Sequence, residues 1–300
     1  SRLRPEMFDL RYHVASLAAV FVALVIGILV GVAISSNSSI SNPERKVLEQ
    51  QKAEFKAQRD AVTARLAQLA QTQSAAVALS QAAYPLVMAD RLRGLRIGLV
   101  FVGPADPRLR NLVQAALQDA NALPTVRFRS LNVPIDGSAL AAVVRKRPAL
   151  VALVDPGKPE AIGRELGREL ALGGDTPLWN ALSAQLIAEQ SGGSKQRLDG
   201  VVLVRTAQAQ QGASARFLGG LYAGLGQIAL LVGVEQSSQV PSALPVYRRK
   251  DISSVDDLEL PVGRLALAAL LAGATPGHYG LQPGDTAVLP AIEPVVPAGG

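Results

Sequence analysis

Hydrophobic and polar positions give the chain three successive textures. From Val14 to Ile34 it runs 21 residues without a charged side chain, and Ser16 is the only hydroxyl. A helix of that length rises roughly 32 Å, matching a hydrocarbon core of about 30 Å. Its backbone groups pair internally, as a bilayer interior demands. A secretory signal peptide has a shorter apolar core, and Ser35-Ser36-Asn37-Ser38-Ser39 offers only a poorly placed cleavage site. An uncleaved transmembrane anchor over 14–34 is therefore the favoured reading.

The second texture is a polar linker, 35–43, leading into a helix. Asn42 can cap, Pro43 suits a first turn and Glu44 suits the positive end of the helix dipole. Residues 44–84 contain neither Gly nor Pro, and Leu48, Phe55, Val62, Leu69 and Ala76 recur every seven positions. That is a heptad repeat. The companion positions Lys52, Arg59, Leu66 and Gln73 are apolar only at Leu66, so the stripe is narrow. A coiled-coil seam through Leu48, Phe55, Val62, Leu66 and Leu69 and a solvated helical stalk both fit. About 40 helical residues would extend roughly 60 Å.

In the third texture, 92–290, short apolar runs alternate with helical stretches. Strands are expected at Leu95–Val102, Val126–Leu131, Ala149–Val154, Val201–Val204 and Ala229–Val234. Helices are expected at Pro107–Ala122, Ser138–Lys146, Pro159–Leu172, Ser214–Gln227 and Val262–Ala272. Continuous apolar strands alternating with helices predict a mostly parallel sheet covered on both faces. The expected fold is thus α/β: an N-terminal transmembrane helix, a long coiled-coil-like helix, then a Rossmann-like open, mostly parallel sheet. Residues 291–300 read as a disordered tail.

Charge sets the orientation. Arg2, Arg4 and Arg11 precede the apolar run, and the first basic residues after it are Arg45 and Lys46. This bias places 1–13 in the cytoplasm and the rest outside it, in a single-pass arrangement. Within the anchor, Ala23, Gly27 and Gly31 recur every four residues and form a candidate helix-pairing face. The net charge of +6 comes from 30 basic and 24 acidic residues, an excess too small to mark a nucleic-acid partner. The expected partners are the membrane and either a second copy of the chain or another coiled-coil membrane protein.

Candidate chemistry is sparse. The chain has no Cys, two His and two Met, which removes disulfides, thiolate metal sites and cysteine nucleophiles. The first strand leads into Gly103-Pro104-Ala105-Asp106-Pro107, whose prolines remove amides that a phosphate would need. No Walker A, GxSxG or HExxH motif occurs. Gly192-Gly193-Ser194-Lys195 reads as a surface turn with no strand before it. Gly219, Gly220, Gly224 and Gly226 read as close packing of a helix against the sheet. Asp256, Asp257, His278 and Tyr279 form a candidate ligand or partner site, although for the two carboxylates, beside Ser253 and Ser254, capping of the following turn is the favoured role over holding a cation. No enzymatic activity and no cofactor are expected.

Several segments together resemble the MctB family, an actinobacterial envelope family often labelled copper transporter. They are Leu10-Arg11-Tyr12-His13-Val14 opening into the anchor, the coiled-coil stretch, Ser253-Ser254-Val255-Asp256-Asp257, Gly263-Arg264-Leu265-Ala266-Leu267 and Gly277-His278-Tyr279-Gly280. The resemblance spans about Met7 to Pro290. It implies a membrane-associated envelope protein with a role in copper transport or homeostasis, or alternatively a coiled-coil scaffold for envelope or cell-division partners. It carries over no catalytic or metal-ligand residues. Soft Cu(I) favours Cys or Met, and beyond the anchor only Met88 is of either type. A copper role is therefore expected to be indirect or that of an oligomer.

Overall fold

The computed structural model describes residues 10–37, 42–193 and 195–292. Most of the expected cytoplasmic segment, the middle of the linker and the tail from 293 lie outside the described residues. The chain divides into two units, Ser1–Ser74 and Ala75–Gly300.

The first unit holds α1 (Leu10–Asn37) and the start of α2 (Asn42–Met88). Side chains from Ala15 to Ile34 are exposed all round α1 among the described residues.

The second unit continues with β1 (Ile97–Val102), α3 (Pro107–Asp119), β2 (Arg127–Leu131), α4 (Gly137–Arg145), α5 (Pro148–Val151), α6 (Pro159–Leu172), α7 (Pro177–Leu186) and β3 (Ile187–Ser191). Then follow β4 (Gly200–Arg205), α8 (Gly212–Gly226), β5 (Leu230–Val234), α9 (Leu244–Arg249), β6 (Ser253–Val255), α10 (Pro261–Leu271) and β7 (His278–Tyr279). The seven strands lie in the order β3-β2-β1-β4-β5-β6-β7. Every pairing is parallel except β2 with β3. Helices cover both faces. Val100, Val102, Val201 and Leu203 point into a core shared with α4 and α6–α9. Leu99, Phe101, Val202 and Val204 point into the opposite core with α3 and α10. Burial on both faces explains why these strands read as continuous apolar runs.

Local signals match the helix starts. Asp106 caps α3, its carboxylate accepting from the backbone amides of Arg108 and Leu109, and Asp136 caps α4 in the same way. Proline opens α3, α6 and α10 at the first turn.

Three expectations need correction. Ala149–Val154 is not a strand. Pro148 starts the short helix α5, and only Leu150 and Val154 of the run are buried, a spacing of four that belongs to a helix. The strand β3, with its exposed polar sequence Ile187-Ala188-Glu189-Gln190-Ser191, does precede Gly192. No helix follows there, so the loop has none of the geometry of a phosphate loop. Finally, Gly220 and Gly224 of α8 pack on a helix rather than on the sheet, while Gly219 faces Lys250 and Gly226 meets nothing within 4 Å. A Cβ at Gly220 or Gly224 would land in the backbone of α6 at Glu160 and Arg164, and one at Gly163 or Gly167 in the backbone of α8 at Phe217 and Leu221. Two Gly-x-x-x-Gly stripes therefore face each other, and this close crossing sits on one face of the sheet.

Candidate functional site

Three regions carry the candidate residues. In the first, α1, Ala15–Ile34 is the stretch among the described residues long and apolar enough to cross a membrane. A Cβ added at Gly27 or Gly31 would meet nothing within 4 Å, so the glycine face is open. In the second, α2, the stripe residues Leu48, Phe55, Val62, Leu66 and Leu69 are each at least 45% exposed. Among the described residues the stripe is uncovered.

The third region lies where β6 meets β7, and there the fold joins segments more than 20 residues apart. Ser254 pairs with His278 and Val255 with Tyr279. The Ser254 hydroxyl lies 2.9 Å from His278 Nδ1, and the Tyr279 hydroxyl donates to the Thr275 carbonyl over 3.0 Å. Asp256 is fully buried. Its two carboxylate oxygens accept from the amides of Leu281 and Gln282, each at 3.0 Å, and Asp257 accepts from the Leu281 amide at 3.1 Å. Asp285 accepts from the Gln282 amide at 2.8 Å and pairs with Arg248 at 2.8 Å. The carboxylates thus hold the turn after β7 rather than the turn that follows them in sequence. Gly280 is required there, because its φ is +152° and a Cβ would overlap the Asp256 carboxylate.

The electrostatics follow from this crowding. Burial, a hydrogen bond shared with Asp257 and repulsion from Asp257 and Asp285 push the Asp256 carboxyl up to about 7. Burial and then nearby Arg248 push the His278 imidazole down, so the neutral ring is favoured. Ser254 is within hydrogen-bond reach of His278 yet fully buried. A substrate carbonyl has no approach to its hydroxyl, which nucleophilic catalysis requires.

The structure brings Asp256, Asp257, His278 and Tyr279 together. Sequence reasoning missed Asp285, Arg248 and the role of Gly280. The signal that pointed to them was the glycine closing Gly277-His278-Tyr279-Gly280, which reports a close approach by another group.

The family model described as copper transport outer membrane protein, MctB, matches residues 7–290. The chain belongs to the MctB family. No curated protein matches it. MctB is a copper-transport family and not a known enzyme family. Membrane anchoring fits both this membership and the single apolar N-terminal helix. The described sheet is open and mostly parallel, unlike a membrane barrel, which is closed and antiparallel. α1 is thus the described element suited to the bilayer. Among the described residues no group of three or more His, Cys, Asp or Glu is placed to hold a metal ion, and Met88 is wholly buried.

Proposed function

We propose that this chain is a single-pass, membrane-anchored envelope protein that supports copper transport or homeostasis indirectly, as part of an oligomer. The carrying observation is the pair of uncovered apolar surfaces, the α1 span and the α2 stripe. The span inserts in the bilayer, with 1–13 cytoplasmic and the globular unit outside. The Ala23, Gly27 and Gly31 face and the Leu48, Phe55, Val62, Leu66 and Leu69 seam then pair two copies. The absence of cysteine and the burial of Met88, the one methionine beyond the anchor, favour an indirect role, since Cu(I) prefers soft ligands. The test combines a deletion strain with calorimetry. Copper sensitivity on deletion, together with no copper uptake by the purified full-length chain, is the expected outcome. Unaltered copper tolerance of the deletion strain refutes the reading, and stoichiometric copper binding refutes its indirect form.

A second reading, a non-enzymatic scaffold for envelope or cell-division partners, is favoured by the same exposed stripe on α2. Crosslinking in intact cells separates the two. Capture of a second copy alone supports the first reading, and capture of a different coiled-coil membrane protein supports the second.

A further inference from the structure

The carboxyl ends of parallel strands are where open α/β sheets receive ligands. At the end of β4 the inward alternation of Val201 and Leu203 places Arg205 on the same face, in the position of a core residue. Arg205 is only 3% exposed. Its guanidinium donates to the Tyr222 hydroxyl and, over 3.3 Å, to the Gln208 carbonyl. No carboxylate pairs with it among the described residues. A buried cation without a counter-charge is costly, and here it borders a cavity.

That cavity holds about 230 Å³ between α8 and α9 and is lined by Arg205, Tyr222, Arg249, Lys250, Leu218 and Val246 among others, with no acidic residue. The Lys250 ammonium lies over Gly219, 3.0 Å from where a Cβ would stand. Tyr222 is buried, accepts from Arg205, and donates its own proton to nothing among the described residues. Three cations and a free hydroxyl donor thus converge on one apolar-walled space.

We propose that this cavity binds the phosphate group of a small phosphorylated molecule. Arg205 and Tyr222 donate from its floor, Arg249 and Lys250 from its rim, and Leu218 and Val246 flank the uncharged part of the ligand. Three positive charges in a lining with no acidic residue suit a doubly charged phosphate better than a single carboxylate. The cavity lies at the carboxyl end of β4 and shares no lining residue with the β6–β7 turn, and the proposal stands independently of the copper role.

The test is calorimetry on the detergent-solubilised full chain in phosphate-free buffer, with inorganic phosphate, glycerol 3-phosphate and succinate as probes. Arg249 and Lys250 are exposed, so the Arg249→Gln/Lys250→Gln variant is expected to melt at the wild-type temperature without ligand. It should bind both phosphates at least about tenfold more weakly. Lys158→Ala, at the separate basic cavity beside the start of α6, should bind them as wild type does. Absence of binding by both phosphates, unweakened binding in the double variant, loss of binding in Lys158→Ala, or succinate binding as tightly as phosphate each overturns the proposal.

Discussion

Asp256 shows how one enclosed carboxyl links distant sequence to pH. Its value in the folded chain, about 7, lies above the ordinary value of about 3.9. The folded state therefore holds the proton more tightly. The stabilisation this gives is fully present below the ordinary value and is lost as pH rises through about 7. His278 acts in the opposite sense: its lowered value gives stability that is present above the ordinary histidine range and lost as pH falls. Glu169 and Glu235, raised by burial, act in the same sense as Asp256. Replacing Asp257 isolates the pair. Asp257 has φ +50°, a conformation asparagine tolerates, so Asp257→Asn relieves the repulsion with little backbone cost. The wild-type midpoint in urea is expected to fall as pH rises from about 4 to about 7, the interval between the two values, and the variant to flatten that fall. Parallel curves for the two proteins would contradict the assignment.

At the scale of elements, the α6–α8 crossing is the tightest contact in the sheet's helix layer. Gly163, Gly167, Gly220 and Gly224 each face backbone atoms of the other helix, and backbone cannot give way as a side-chain end can. Gly220→Ala is therefore expected to cost at least about 1–3 kcal/mol by overpacking. Gly226, at the end of α8, has nothing within 4 Å of a Cβ, and Gly226→Ala should be neutral or stabilising by up to about 1 kcal/mol. Denaturant unfolding of both variants checks the contrast, and equal effects would mean the crossing is looser than described. The stretch 149–154 makes a related point. Six apolar residues in a row look like a buried strand, but burial of Leu150 and Val154 alone shows that one face of a helical turn suffices.

For the whole molecule, two outcomes test the arrangement proposed above. Protease added to the outer side of the membrane should digest the globular unit; full protection would place that unit in the cytoplasm. The Phe55→Lys/Val62→Lys variant should reduce a dimer to a monomer in sedimentation, since charges in a seam are poorly tolerated. An unchanged sedimentation coefficient would show that the stripe does not hold two copies together. The fold class was legible because β1, β2 and β4 are buried along their whole length and β5 over its last three residues, with amphipathic helices between them. β3, β6 and β7 were not legible. β3 is polar and exposed, while β6 and β7 have three and two residues, too few for any period to register.

By itself the sequence determined what depends on neighbours along the chain. It set the length of the apolar span, the heptad stripe, the caps at Asp106 and Asp136, and the alternation that makes an α/β sheet. Tertiary structure decided what depends on residues far apart in sequence. It placed Asp256 against the turn at Leu281, turned Gly220 and Gly224 toward α6 rather than the sheet, and left Arg205 facing a cavity without a counter-charge. Periodicity records which side of an element is apolar; only packing determines what that side meets.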